Sequence, residues 1–309
     1  MTEDARTAGP EPLGPDSLTW KYFGDWRGLL IALWAGSMQN MHPELGAGVE
    51  EHSGFFRERW QRLFRSLYPI GGVVYDGPLA HETALRVRGY HKTIKGVDSR
   101  GRRYSALNPD TYYWAHATFF MSTIHIADHF MGGLTEAERR TLFDEHVRWY
   151  RMYDMSMRPV PATWPDFQDY WDRMCTEVLE DNRATRDVLD LTGIGRPPGL
   201  GRLPMPVWGV ARAVIARGFV WLTVGMYEPV IRERLGYRWT SRDERLHRLF
   251  GRTVNAAFRL VPHDRRYHPR ARAGWRRVRG EHTPVVETPR RNLPPVDERD
   301  SPVHYSPRV

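Results

Sequence analysis

The chain has one cysteine, Cys175, in 309 residues, so no internal disulfide framework can form and a reducing compartment is indicated. Its opening residues are polar and acidic, with neither a basic leader segment nor an apolar stretch after it. Long apolar runs are scarce. The window around Leu30 is too short to cross a bilayer. The window around Ile215 is long enough but carries Arg212 and Arg217, and an arginine at bilayer depth costs about 2.5 kcal/mol or more. That second window is expected to be a buried helix, with a helix lying on a membrane as the other reading. Several chemical signatures are also missing: the glycine-rich dinucleotide turn, the phosphate loop, the serine elbow, and the cysteines of a zinc ribbon. Rossmann-type hydride transfer and phosphate-loop hydrolysis therefore have no support.

The sequence is rich in aromatic and basic side chains. Hydrophobic residues are 41% and aromatics 12%, enough for a core, and the formal charge is +8. That charge points to an anionic partner: lipid, cofactor or substrate. Much of the excess lies between Arg265 and Arg279. This stretch suits peripheral contact with an anionic membrane, and nucleic acid is not expected as a partner.

The punctuation is helical. Ser53 can cap a helix with an apolar stripe at Phe56, Trp60, Leu63, Phe64 and Leu67. Gly77-Pro78 opens a helix predicted to run to about Ile94. Asn108-Pro109 is a cap followed by proline in the first turn, with a stop at Gly132-Gly133. Capping boxes are read at Thr135–Glu138 and Ser241–Glu244. The β signal is one short hairpin around Ser99-Arg100-Gly101. The expected architecture is all-α: a single globular helical domain over 17–280 with one inserted hairpin, and disordered tails at 1–16 and 281–309.

Histidine carries the candidate chemistry. His116 sits among aromatics on the helix that starts at Pro109, a setting suited to axial coordination of one metal. His125 and His129, with Asp128 beside them, have the i, i+4 spacing of a metal clamp. At about 100° per residue they face away from His116, so both sets cannot serve one ion. If the preceding helix reaches Ile94, Arg88, His91, Lys92 and Lys95 form a basic stripe able to hold an anionic group. Gln39, His42 and His52 mark a helix–loop–helix corner whose side chains can line a pocket or cap helices.

Taken in order, these blocks resemble a known family. They are Gln39 to His42-Pro43, His52-Ser53, Arg62, the run from Arg86 through His91 to Gly96, Gly101 to Tyr104, and Asn108 through Trp114-Ala-His116-Ala-Thr118. The order is similar to that of the DUF2236, or MpaB-type, oxygenases, related to the latex-clearing rubber oxygenases. The resemblance spans roughly 20–260. It implies an all-α fold around heme b, with dioxygen and a hydrophobic isoprenoid- or lipid-like substrate whose C=C bond is oxidatively cleaved. It implies His116 as the iron ligand and Arg88, His91 and Lys92 near the cofactor or dioxygen, with Arg88 and His42 as further cofactor contacts. An electron donor is a further expected partner. The expected location is cytoplasmic, peripheral at a membrane. Two other readings stay open on the residues: a non-heme metal enzyme using His125, Asp128 and His129, and a non-catalytic heme- or lipid-binding helical protein.

Overall fold

The computed structural model describes residues 10–52, 58–197 and 204–296. Its helices are α1 (Leu18–Tyr22), α2 (Ala32–Asn40), α3 (Pro43–His52), α4 (Arg59–Tyr75) and α5 (Ala80–Gly89), then a hairpin of β1 (Lys95–Val97) and β2 (Arg103–Ser105). There follow α6 (Pro109–Phe130), α7 (Glu136–Arg151), α8 (Trp164–Arg173), α9 (Arg183–Leu189), α10 (Met205–Met226), α11 (Pro229–Arg234), α12 (Ser241–Phe258), α13 (His263–Arg266) and α14 (Pro269–Val278). The all-α class with one antiparallel hairpin is as the sequence implies.

Local chemistry explains most boundaries. The Asn108 side chain accepts from the Asp110 N–H, and Pro109 occupies the first turn, where no N–H is needed. α6 ends where Gly132 and Gly133 turn left-handed, at φ 103° and 95°. Thr135 and Glu138 cap each other at the start of α7. On α12 the capping box is one residue earlier than read: Thr240 is the cap and Asp243 its partner. The expected cap Ser53 lies outside the described residues. In the hairpin Gly96 pairs with Tyr104, and the Asp98 carboxylate accepts from the N–H groups of Arg100 and Arg102.

α6 is the central element. Buried side chains recur along its whole length, from Thr111 to Phe130. It packs against α2, α7 and α12, and α2 in turn packs on α9. One apolar cluster runs from Leu13 to Ala271. The crossing of α6 and α12 is tight: a Cβ at Gly251 would stand 2.2 Å from the His129 carbonyl oxygen. At the other end, α14 packs on α4 through a buried ion pair between Arg270 and Asp76.

One expectation is corrected here. α10 is not a buried helix: Val207, Val210 and Val214 are 52%, 74% and 67% exposed, and its burial is confined to Trp208 and the turn Leu222–Met226. Apolar composition alone does not distinguish a core helix from an uncovered one. Where the two flanks are described, each contacts the domain. Leu13 is buried and its carbonyl accepts from Trp20 Nε1 at 3.0 Å, and the Asn292 carbonyl accepts from Arg65 Nη1 at 3.0 Å. Residues 1–9 and 297–309 of those tails lie outside the described residues. Arginines of and just after α14 have internal carboxylate partners. Arg270 pairs with Asp76, while Arg276 and Arg279 both pair with Asp264 and Glu281.

Candidate functional site

A cavity of about 180 Å³ lies between α2, α3, α4, α5 and α6. Its walls are mostly apolar: Leu45, Val49, Ile70, Val87, Ile94 and Phe119 are among the lining residues. Its polar lining residues include Gln39, Glu44, Arg62, Arg65, His91, Thr111 and His116.

His116 comes to this cavity from the middle of α6. It is 2% exposed, stacked on His146 with ring centroids 4.5 Å apart, and edge-on to Trp149. Its Nε2–H donates to the His146 carbonyl at 3.2 Å, because a carbonyl can only accept. The proton is thereby fixed on Nε2. Nδ1 keeps its lone pair, is buried, and has no hydrogen-bond partner. An orphaned buried acceptor costs free energy unless something occupies it. Burial lowers the His116 pKa to about 3, so the ring is neutral at physiological pH.

His91 reaches the same cavity by a different route from the one expected. α5 ends at Gly89, and His91 sits in the turn that follows. Its Nδ1–H donates back to the Val87 carbonyl at 2.9 Å, leaving Nε2 as the acceptor. Burial lowers its pKa as well. Since the helix stops before His91, no single basic face carries Arg88, His91, Lys92 and Lys95. Lys92 is exposed and Lys95 belongs to β1. Arg88 does not line the cavity. It donates to the carbonyls of Tyr153 and Asp154 at 3.1 and 2.9 Å, clamping a turn in which Asp154 has φ 48°. Arg88→Ala is expected to cost about 1–3 kcal/mol through that turn, measured as a lower unfolding midpoint. Arg100→Ala, at the hairpin tip, should change it by less than about 1 kcal/mol. Equal losses for the two would refute the clamp.

His42 is buried at the α2–α3 corner but does not line the cavity. Burial lowers its pKa to about 4. The His52 side chain lies outside the described residues. Phe119 of α6 lines the cavity, whereas Trp34, Phe120 and Trp208 are buried in the core. His125 and His129 point away from His116, as their helical angle requires. His125 packs against Trp34, and His129 against His247 of α12. Asp128 is held by Arg139 at 2.7 Å. Among the described residues no group of three metal-ligating side chains has the geometry to hold an ion.

Sequence reasoning missed Glu44 and Arg65. Glu44 is the carboxylate on the cavity wall among the described residues, and it accepts from Asn108 Nδ2 and Thr111 Oγ1 at 2.8 Å each. Arg65 is buried and held by Glu58 and the Asn292 carbonyl. Each lies in an ordinary helical pattern, so nothing in its local sequence signals a site.

The buried histidines also set an acid limit. His42 and His129 are lowered to about 4 and His116 and His268 to about 3, in each case chiefly by burial. In the unfolded chain these groups titrate near 6.5. Between about pH 6.5 and about pH 4 the unfolded state therefore binds more protons, and stability falls as pH is lowered through that window. The unfolding midpoint should drop markedly from about pH 7.5 to about pH 5. A flat profile would mean that these rings are not buried neutral.

A family model described as "ER-bound oxygenase mpaB/B'/Rubber oxygenase, catalytic domain" matches residues 20–256. No curated protein and no solved structure matches. The family match covers most of the chain, and the chain belongs to this oxygenase family.

Proposed function

We propose that this member of the mpaB/rubber oxygenase family is a heme b-dependent oxygenase. It uses dioxygen to cleave a C=C bond of a hydrophobic, isoprenoid- or lipid-like substrate, leaving two carbonyl ends. The observation that carries the proposal is His116: a buried neutral imidazole lining an apolar-walled cavity, with one nitrogen tied to a main-chain carbonyl and the other unpartnered. That is the arrangement of a metal-ligating histidine, whose second N–H fixes the ring and strengthens the donor. The residues present therefore fit the group.

When bound, heme supplies the iron at which dioxygen is activated toward the double bond. The protein's contributions follow from its own side chains. His116 would hold the iron through Nδ1, and burial keeps a competing proton off that atom at neutral pH. Arg62 and Arg65 bring positive charge to the cavity wall, Arg65 with its guanidinium held by Glu58 and the Asn292 carbonyl, and that charge favours an anionic group such as the cofactor's carboxylates. His91, neutral and oriented by Val87, can accept a hydrogen bond at Nε2. Arg88 acts at one remove, holding the turn that carries the cavity residue Tyr153. The apolar walls exclude water and suit an elongated hydrocarbon. Further partners proposed are an electron donor that keeps the cofactor reduced and an anionic membrane in which the substrate partitions, contacted peripherally from the cytoplasm.

The test is an absorption spectrum of the full chain reconstituted with heme, followed by mass analysis of products from a polyprenyl substrate with and without dioxygen. A Soret band and dioxygen-dependent aldehyde and ketone products are expected. Absence of a Soret band from folded protein would overturn the cofactor assignment. A band without products would overturn the reaction.

A further inference from the structure

α10 is predominantly apolar, with Arg212 and Arg217 its only charged residues, yet much of it faces solvent. Val207, Val210 and Val214 share one face by i, i+3, i+7 spacing and are all exposed. A helix of this composition normally belongs in a core or a membrane. Beside its C-terminal half runs α12, joined to it by a hydrogen bond from Trp221 Nε1 to Asp243 at 3.1 Å. α12 adds Leu246, Leu249 and Phe250, 45%, 58% and 38% exposed. Exposed apolar side chains grouped on two neighbouring helices in this way mark a contact.

Arginines interleave with that surface. Arg245 and Arg252 are seven residues apart on one face of α12, and Arg217 flanks the valine stripe on α10; all three are exposed. Among the described residues none of the three has a carboxylate partner. We propose that the α10–α12 surface docks peripherally on an anionic lipid bilayer, its valines and leucines entering the headgroup boundary and its arginines meeting lipid anions.

Charge selects this occupant. A two-fold contact with a second copy would press the same arginine-bearing patch against itself, like charge on like. An anionic lipid surface turns those charges into attraction. Packing excludes a spanning role for α10: Leu222–Met226 are fixed in the core, and Trp208 Nε1 donates to the Ile194 carbonyl at 3.3 Å. α14, denser in arginine, is a poorer candidate because Arg270, Arg276 and Arg279 already have carboxylate partners.

The experiment is co-sedimentation of the full chain with vesicles of phosphatidylcholine alone, or with about one-third phosphatidylserine. Wild type should sediment with the anionic vesicles and only weakly with the neutral ones. Val210→Asp with Val214→Asp should abolish sedimentation while leaving circular dichroism unchanged, since both sites are exposed. Arg245→Gln with Arg252→Gln should lower anionic partition about 25-fold, about five-fold for each arginine. Arg276→Gln with Arg279→Gln should leave it unaltered. Failure of folded wild type to sediment, or an equal loss from the α14 pair, overturns the proposal. So does a dimer, detected by light scattering, that the aspartates split: it would assign the surface to a second copy. Partition is read without cofactor or turnover, so this inference can fail while the proposed reaction stands.

Discussion

Replacing His116 by alanine should remove nearly all bound heme, lowering affinity by at least about 100-fold. The expectation follows from the two ring nitrogens. Nε2 is spent on the His146 carbonyl, and Nδ1 is buried with no hydrogen-bond partner. Alanine also opens a hole. The ring packs on His146, Trp149 and Tyr150, and truncating a buried side chain of that size costs about 2–5 kcal/mol. Loss of heme from a destabilised protein would be ambiguous. His116→Gln resolves this, because its amide can still donate to the His146 carbonyl and fills most of the volume. That variant should unfold within a few degrees of wild type, retain its circular dichroism, and show no Soret band at wild-type strength. Added imidazole should restore part of the band in His116→Ala by occupying the vacated space. A folded His116→Gln protein with wild-type Soret absorbance would place the axial ligand elsewhere.

The elements legible in the sequence were those whose signals are local. Asn108-Pro109, Thr135 with Glu138, and the Gly132-Gly133 stop each act within one turn, and the structure has helix ends at all of them. The opposed facing of His116 and His125 followed from helix periodicity alone. Local reasoning failed where a boundary depends on tertiary contacts. α5 stops at Gly89 rather than near Ile94, because the chain turns to feed the hairpin that packs on α3. That shift of a few residues dissolved the expected basic stripe and sent Arg88 to the Tyr153–Asp154 turn. His91 nevertheless reached the cavity. Glu44 and Arg65 were illegible for a different reason. Their partners are 64 and 227 residues away, Asn108 and Asn292, and no spacing rule connects them. The apolar run of α10 was read correctly as a helix and wrongly as core, since composition carries no information about what lies beside it.

Arg270→Ala should lower the unfolding midpoint by about ten degrees, the largest stability effect expected from a single charge. Arg270 is 1% exposed, and its Nε donates to Asp76 Oδ1 at 3.0 Å while Nη2 pairs with Oδ2. The Asp76 carboxylate is fully buried, and Thr83 Oγ1 donates to it at 2.7 Å. Without the guanidinium, the carboxylate retains that hydroxyl and a more distant Arg277 at 3.9 Å. Breaking a buried pair by removing one partner costs about 3–5 kcal/mol, because the remaining charge has lost both water and its counter-ion. The sequence around the pair is shaped to it. Gly72 lies against the guanidinium so closely that a Cβ there would stand 2.4 Å away, so Gly72→Ala should produce a loss of the same kind. The consequence reaches the site. α4 carries both Asp76, at its C-terminal cap, and the cavity residues Arg62 and Arg65, and α14 is the helix that pins it. Arg270→Ala should therefore weaken heme retention in proportion to its stability loss, without the selective spectral defect of His116→Gln. Arg270→Lys should recover little, since one ammonium cannot reproduce the two-point contact. A midpoint within about two degrees of wild type for Arg270→Ala would mean that water or Arg277 replaces the lost partner and that the pair does not hold α14 to α4.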